Sequence, residues 1–252
     1  MIRLISVFFL FVISFTAFKS CASGEEKVSN DIRILLTYGG HGFEEDLFYK
    51  MFENLPGISY TSIQLPNSAD LLKPGLEKEY DVIVMYDMVD SISEKHRKAF
   101  VELLREGIGV IALHHNLVAH PTWDEYRKII GGIYLLESQL LDGKERIKSS
   151  FNHDQDIKVT VTDKNHPITR GISNFQIRDE TYKDYYTSPD AHVLLTTDHP
   201  MSDPELAWTT RYHNSPVCYL LLGHDSQAWQ HPDYPKLLLN AIRWAAQEKR
   251  GN

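Results

Sequence analysis

Histidines and acidic residues follow apolar runs at several points of the chain, and both residue types can transfer protons or bind metal ions. His114 and His115 come directly after residues 110–113, an apolar run typical of a buried parallel strand. In an open α/β sheet the ligand crevice lies just beyond the carboxyl ends of the strands. We therefore expect chemistry at His114 and His115. The alternative is that one caps the strand end and the other packs in the core.

Other predicted strand ends repeat this pattern. Gly40 and His41 follow the run 32–37, Asp87 follows 82–86, and His224 and Asp225 follow 217–222. Glycines near His41 allow close approach of a backbone to a ligand, but the turn lacks the spacing of a nucleotide-binding loop. We expect these residues to contact a substrate, with a helix cap as the alternative for Asp225.

The order of the predicted elements indicates an α/β fold. Strands are predicted at 32–37, 60–65, 82–86 and 110–113, with a helix opened by Phe43 and another capped by Ser91 and Glu94. Alternation of this kind favours right-handed units, a mainly parallel sheet and helices on both faces.

The second half of the chain predicts antiparallel additions to this sheet. Strands are expected at 158–162, 193–196, 207–211 and 217–222. A short helix should begin with the capping box of Thr122 and Glu125, and a closing helix at Pro235. Residues 133–150 have poor periodicity and are predicted to form a long loop over the sheet edge.

The first 30 of the 252 residues are predicted to lie outside this domain. Arg3 and the apolar run 4–18 have the charge and length of a secretory signal, and Cys21 stands where a lipoprotein signal is cut. We expect a signal at 1–21, a polar tether at 22–30 and a single α/β domain at 31–249. The protein should then be exported, either free in the periplasm or attached to the membrane through a lipidated Cys21.

Charge and cysteine content limit the partners. Losing the two positive charges of Arg3 and Lys19 takes the formal net charge from −8 to −10, and no basic cluster remains to follow a phosphate backbone. Nucleic acid is therefore excluded as an expected partner. Cys218 is the only cysteine besides Cys21, so it is predicted to be a small buried apolar residue.

Several stretches together resemble one family, the trehalose-utilisation or ThuA-like proteins, a branch of the class I glutamine-amidotransferase-like fold. The matching stretches are 112–115, 153–154, 165–169, 179–182, 194–198, 207–209, 222–225 and 228–229. The resemblance implies a flavodoxin-like sheet. From the family's association with disaccharide breakdown through 3-keto sugars, it also implies a carbohydrate or keto-sugar substrate. Amidotransferases carry a nucleophilic cysteine where this chain has His114, so glutamine hydrolysis is not expected.

Glu180 is the strongest candidate for a catalytic carboxylate. It lies in the stretch 179–182, which offers an acid, a hydroxyl and an aromatic ring and is expected between strands; a helix-capping acid is the alternative. Proton abstraction beside a ketone needs one base near the carbon and one donor near the oxygen. We assign catalysis to His115 and Glu180, with Tyr182 or His224 as the donor.

Further residues are assigned to substrate binding. Adjacent residues at a strand end point to opposite sides, so His115 is preferred over His114 as the catalytic residue, and His114 is kept as a binding residue. His153 stands in a resembling stretch, and Trp229 offers a flat face to a sugar, with core packing as its alternative.

Two questions stay open at this point. His41, His115 and His224 can converge from separate strand ends on a divalent metal such as zinc, although no His-x-x-x-His or cysteine pair accompanies them. The protein is either an exported enzyme that acts on a glycoside or 3-keto sugar by His/Glu acid-base chemistry, as isomerase, lyase or hydrolase, or a surface-anchored sugar-binding protein without catalysis.

Overall fold

The described part of the chain, residues 31–251 of the computed structural model, is built on one nine-stranded sheet. Its strands are β1 (Ile32–Gly39), β2 (Ile58–Gln64), β3 (Val82–Asp87), β4 (Gly109–Leu113), β8 (Ser150–Val161), β9 (Phe175–Lys183), β11 (His192–Thr196), β12 (Glu205–Tyr212) and β13 (Ser215–Leu220). Their order across the sheet is β2-β1-β3-β4-β13-β12-β11-β8-β9.

The first five strands of that order are parallel neighbours. Every residue of β3, β4 and β13 is buried, as expected for central strands that are covered on both faces. The remaining neighbours from β13 to β9 are antiparallel. The predicted fold class, a flavodoxin-like parallel sheet with antiparallel additions, is confirmed.

Six α-helices of the described residues accompany the sheet. They are α1 (Glu45–Glu53), α2 (Leu76–Glu79), α3 (Glu94–Arg105), α4 (Asp124–Ile130), α5 (Ser226–Trp229) and α6 (Asp233–Arg250). The closing helix packs close to the sheet centre because β4 begins with glycine: a Cβ on Gly109 would lie 2.8 Å from the Cβ of Ala245.

Both predicted capping boxes are wrong in detail. The N-cap of α3 is Ser93, which accepts a hydrogen bond from the backbone of His96, so Ser91 lies outside the helix. The N-cap of α4 is Trp123, which makes no side-chain capping bond. Both helices nevertheless lie close to their predicted positions.

The segment predicted as a long loop is partly ordered into short strands. β5 (Gly132–Ile133) pairs with β10 (Tyr186–Thr187), and β6 (Gln139–Leu141) pairs with β7 (Lys144–Arg146). These two small sheets are separate from the main one. Tyr134 and Leu136, which lie between β5 and β6, contribute to the wall of the site described below.

The predicted signal, the tether and Cys21 lie outside the described residues. Among residues 31–251, no helix is long and apolar enough to cross a membrane.

Candidate functional site

Glu180 lies on β9, and its carboxylate is surrounded by imidazole rings. Its Oε2 atom lies 2.7 Å from Nε2 of His114 and 3.0 Å from Nδ1 of His224. Its Oε1 atom lies 3.3 Å from Nδ1 of His153. Only 5% of the Glu180 side chain is exposed. Three histidines from distant parts of the chain therefore meet at one buried carboxylate.

His114 is oriented by the turn that follows β4. The chain leaves the strand through a short 3₁₀ segment, His114–Val118, and His114 itself has the left-handed φ of 44°. Its backbone carbonyl accepts a hydrogen bond from the hydroxyl of Tyr219, and its Nδ1 lies 2.5 Å from the carbonyl oxygen of Leu221. A carbonyl oxygen can only accept, so Nδ1 carries a proton and Nε2 faces Glu180.

Asp179 joins β9 to the segment that follows β13. Its buried carboxylate accepts hydrogen bonds from the backbone nitrogens of Glu180 (2.8 Å), Gly223 (2.7 Å) and His224 (3.0 Å). Gly223 has a φ of 113°, and a Cβ there would lie 2.1 Å from the hydroxyl oxygen of Tyr234. This position requires glycine, and the resulting turn brings His224 to Glu180.

His115 and His41 form a second pair of rings in the site. Nε2 of His115 donates to the backbone carbonyl of Tyr86 at 2.9 Å, while its Nδ1 is buried and lacks a hydrogen-bond partner among the described residues. The ring of His41 lies 4.7 Å from that of His115. Burial lowers the pKa of His115 well below its usual value, so this imidazole is neutral.

Of these groups, His41, His115, Glu180 and His224 border a cavity of about 340 Å³, a size suited to a small ligand, and His114 lies behind Glu180. Tyr182 reaches it from β9, with its hydroxyl 3.0 Å from Nε2 of His114. The cavity is lined by His41, Met88, His115, Val118, Tyr134, Leu136, Lys148, Phe151, His153, Glu180, Tyr182 and His224.

The charges of the site follow from burial and hydrogen bonding. Burial acts to raise the pKa of Glu180, but its hydrogen bonds and charge interactions with His114 and His224 outweigh burial, so the carboxylate pKa is lowered. Burial acts to lower the pKa of His224, yet contact with Glu180 leaves it raised. Burial raises the pKa of Tyr182, which keeps its phenol neutral. The site thus combines an ionised carboxylate with imidazoles and a hydroxyl donor.

The structure corrects the relative placement of the two adjacent histidines. Because the positive φ of His114 turns the chain, both rings border the site with centroids 5.7 Å apart, rather than facing opposite sides. His114, predicted to bind substrate, is the ring in contact with Glu180, whereas His115 is held by Tyr86. Glu180 and Tyr182 lie within a strand, and not between strands as expected.

Two predicted binding residues are directed elsewhere. Asp87 is fully buried, and one of its carboxylate oxygens accepts a hydrogen bond from the Thr37 hydroxyl at 2.5 Å. Gly40 allows close approach, but of another loop: a Cβ there would lie 2.1 Å from the carbonyl oxygen of Met88. Neither residue borders the cavity.

Two more predicted binding residues have the alternative roles considered in the sequence analysis, a helix cap for Asp225 and core packing for Trp229. Asp225 is the N-cap of α5 and accepts from the backbone of Gln227 at 2.8 Å. Trp229 is 3% exposed, donates its indole N–H to the carbonyl of Gly223 and packs edge-on against Phe48. Its assignment to sugar binding was wrong because the ring belongs to the core.

Sequence reasoning missed several residues of the site. Tyr134, Leu136, Lys148 and Phe151 lie in or beside the segment treated as a loop, whose irregular sequence gave no signal of a cavity wall. Nothing in the stretch 179–182 predicts a separate role for Asp179. The alternation of buried Ile177, Asp179 and Thr181 along β9 was the available signal, hidden by the polar character of two of these side chains.

Comparison with known families identifies one match. Residues 44–245 match the family model ThuA, described as trehalose utilisation. Among curated proteins there is no significant match.

Solved structures share the fold. A ThuA-like protein of Parabacteroides merdae has a TM-score of 0.70 at 20% identity, covering 86% of this chain and 90% of that one. A ThuA-like protein of Bacteroides uniformis has a TM-score of 0.64 at 21% identity, covering 85% and 91%. A GMP synthase subunit from Thermoplasma acidophilum has a TM-score of 0.54 at 10% identity, covering 87% and 96%. At these identities the likeness establishes the fold alone.

Proposed function

Because the chain belongs to the ThuA, or trehalose-utilisation, family and so has a carbohydrate-related role, we propose that it is an enzyme that processes a glycoside or 3-keto sugar. The observation that supports catalysis is the placement of Glu180. Its carboxylate touches His114 and His224, and the Tyr182 hydroxyl lies beside them at the cavity. A protein that only held a sugar would not need this concentration of proton-transferring groups.

The proposed chemistry is proton transfer at a carbon next to a carbonyl group. A base takes the proton from carbon while a donor or cation stabilises the oxygen on which negative charge develops. Glu180 and its histidines supply the base side, and Tyr182 offers a neutral hydroxyl within 3.0 Å of His114. Isomerisation and elimination of a glycosidic group both begin with this step. Addition of water after the elimination completes a net hydrolysis.

Glutamine hydrolysis does not fit the site. The residue at the end of β4 is His114, and Cys218, the one cysteine of the described residues, is fully buried within β13. Burial raises the pKa of this thiol, which disfavours the reactive thiolate. The fold of the amidotransferases therefore supports a different reaction here.

Export is part of the proposal. It is supported by Arg3 and the apolar run 4–18, which precede an acidic domain with no basic cluster. The substrate would then be met outside the cytoplasm, either by a free protein or by one anchored through Cys21.

The test uses the purified protein with a panel of glucosides, disaccharides and their 3-keto derivatives in deuterated water. Mass spectrometry reports both new products and exchange of hydrogen for deuterium beside the keto group. Glu180→Gln keeps the size of the side chain but removes the carboxylate, and we expect a loss on the order of 10²-fold or more. Glu137→Gln, an exposed change outside the cavity lining, is the matched control.

Saturable binding of a panel sugar without exchange or product would reject catalysis and leave the sugar-binding role. Turnover that is equal in Glu180→Gln and the control would show that the reaction takes place at another site.

A further inference from the structure

We propose that Nε2 of His114, Oε2 of Glu180 and Nδ1 of His224 form a binding site for a divalent transition metal, with zinc as the leading candidate. The three atoms lie 2.7, 3.0 and 3.2 Å from one another. The set differs from the one predicted from sequence, which contained His41 and His115 with His224. The inference deepens the proposed function, on which it rests only for the role of the metal in turnover.

The first argument is the short distance between Nε2 of His114 and Oε2 of Glu180, which requires a proton or a metal ion between these two atoms. Nδ1 of His114 donates to Leu221, so a neutral His114 presents the lone pair of Nε2 to the Glu180 carboxylate at 2.7 Å. Two acceptors approach this closely only when a proton or a cation lies between them. Without a metal, one proton must lie between these two atoms, on Nε2 of His114 or on Oε2 of Glu180.

A single additional proton leaves the surroundings of Nε2 poorly explained. This nitrogen has three polar neighbours within 3.2 Å: Glu180 Oε2, the Tyr182 hydroxyl and Nδ1 of His224. One N–H group can point well at only one of them. A metal ion placed among the ligand atoms accepts lone pairs from two imidazoles and the carboxylate at once, and therefore explains their convergence.

The second argument is geometric. Tetrahedral ligands roughly 2.0–2.2 Å from zinc are separated from one another by about 3.3–3.6 Å. The observed triangle is smaller: its sides of 3.2 and 3.0 Å, which meet at His224, fall short by about 0.1–0.6 Å, and its 2.7 Å side between His114 and Glu180 falls short by about 0.6–0.9 Å. His224 is partly exposed, so a small outward rotation of its ring lengthens the two sides that end at its Nδ1. The side between the buried His114 and Glu180 lengthens only when the Glu180 carboxylate shifts on metal binding.

The supports behind the three ligands are of the kind found at metal sites. A metal-binding histidine usually donates its other ring N–H to a carbonyl or carboxylate, and His114 does so to Leu221. Asp179 holds the backbone of both Glu180 and His224 through its hydrogen bonds. The ligands are therefore preorganised by groups that would not touch the metal themselves.

The ligand set indicates a catalytic rather than a structural metal. Two histidines and one carboxylate leave at least one coordination position for water or substrate, and here Glu180 and His224 line the cavity. A sugar carbonyl oxygen bound at that position would be polarised by the metal, which would stabilise the negative charge that develops on it. The proton of the adjacent carbon would pass to Oε1 of Glu180, which is not a ligand in this set, or to His153, whose Nδ1 lies 3.3 Å from Oε1.

The test begins with metal content. The full protein is purified without chelator, and its zinc, manganese, iron, cobalt and nickel are measured by mass spectrometry; we expect about one ion per chain. After dialysis against EDTA, zinc chloride is titrated into the protein by calorimetry. Cobalt(II) added to the metal-free protein should give visible absorption bands of a low-symmetry site, a signal that is independent of any sugar.

Variants identify the ligands. Glu180→Gln and His224→Asn should each weaken zinc binding by about 100-fold or more, whereas His213→Asn, an exposed change remote in the fold, should not. His41→Asn separates the two histidine sets, since His41 belongs only to the set predicted from sequence. We expect zinc affinity to survive this change, and its loss in His41→Asn but not in His224→Asn would overturn the assignment.

The outcomes separate the two proposals. Failure of the chelated protein to bind any of the five ions, with no rise in melting temperature on their addition, would reject the metal site. Turnover that persists after complete metal removal would reject the metal's role and leave the enzyme proposal intact. Stoichiometric zinc held by His224 and Glu180, without turnover of any panel sugar, would support the site and reject the proposed substrates.

Discussion

Asp179→Asn should loosen the site without changing any of the three metal-ligand candidates. The aspartate carboxylate accepts hydrogen bonds from the backbone nitrogens of Glu180, Gly223 and His224 at 2.7–3.0 Å. Asparagine has one acceptor oxygen, and its amide nitrogen is a donor. At least one of the three N–H groups must then face another donor inside the protein.

The magnitude follows from these bonds. A hydrogen bond to a charged group contributes about 1.5–3 kcal/mol, and an unpaired buried donor costs about 1–3 kcal/mol. Burial raises the pKa of Asp179, so part of the loss is offset when the buried charge is removed. We expect a net loss of about 2–3 kcal/mol in the free energy of unfolding. For a domain of this size, that is a fall of about 4–12 °C in melting temperature.

Thermal unfolding at pH 7 measures the effect, with Asp225→Asn as the matched control. Asp225 caps α5, and asparagine caps a helix about as well as aspartate, so the control should melt within about 1 °C of the native protein. The second readout is calorimetric zinc affinity, which should fall in Asp179→Asn because His224 is released. If Asp179→Asn melts with the control and binds zinc normally, Asp179 does not hold the two segments together.

Three further predictions concern other parts of the chain. Burial raises the pKa of Asp87 from 3.8 to about 6, so its contribution to stability is complete below pH 3.8 and is lost as the pH rises through 6. Asp87→Asn should remove this loss of stability, which is about 3 kcal/mol at 1.36 kcal/mol for each pKa unit of difference between the folded and unfolded states. Urea unfolding of both proteins at pH 4 and 7 measures it, and a variant with the same pH dependence as the native protein would refute the reasoning. Gly223→Ala places a Cβ 2.1 Å from the hydroxyl oxygen of Tyr234 and should lower the melting temperature much more than Gly143→Ala, which also has a positive φ but meets no atom within 4 Å; equal losses would show that the contact with Tyr234 is unimportant. Cys21→Ser should move the protein from the membrane to the soluble fraction on cell fractionation, and an unaltered distribution would reject the lipid anchor.

The parallel half of the sheet was predictable because strands buried on both faces consist of continuous apolar runs, which are easy to recognise in the sequence. Strands β1, β3, β4 and β13 contain short apolar runs that are soon followed by glycine or polar residues, and each strand lies close to its predicted position. The histidines after β4 and β13 were identified for the same reason. Strand ends of a parallel sheet meet along one edge, so residues distant in sequence can be expected to come together.

The antiparallel edge was less predictable because its buried positions are not all apolar. Along β9, Asp179, Glu180 and Thr181 are buried beside apolar residues, which masks the alternation that identifies a strand. The burial of polar residues makes the strand hard to recognise in the sequence, and it also places the carboxylates of Asp179 and Glu180 among their hydrogen-bond partners. A local pattern cannot show that Asp179 will find three backbone donors, since two of them lie more than forty residues away.

The choice between His114 and His115 depended on a turn that residue types do not specify. Alternation predicts opposite directions for neighbouring side chains as long as the strand continues. The left-handed conformation of His114 ends that regularity and leaves both rings at the site. Histidine adopts this conformation more often than most residues, but the sequence alone does not show where it does so.

The position of Glu180 on β9 has a consequence for folding. This strand is the last in the order of the main sheet, and His114 and Glu180 are 66 residues apart. Contacts of such long range form only after much of the chain has been ordered, and an edge strand opens more readily than a central one. A ligand bound at His114 and Glu180 should therefore slow amide hydrogen exchange in β9 far more than in β3 or β4, because the amides of these central strands are already protected by the sheet. The protein would exchange at its outer strand at a rate that depends on whether the site is filled.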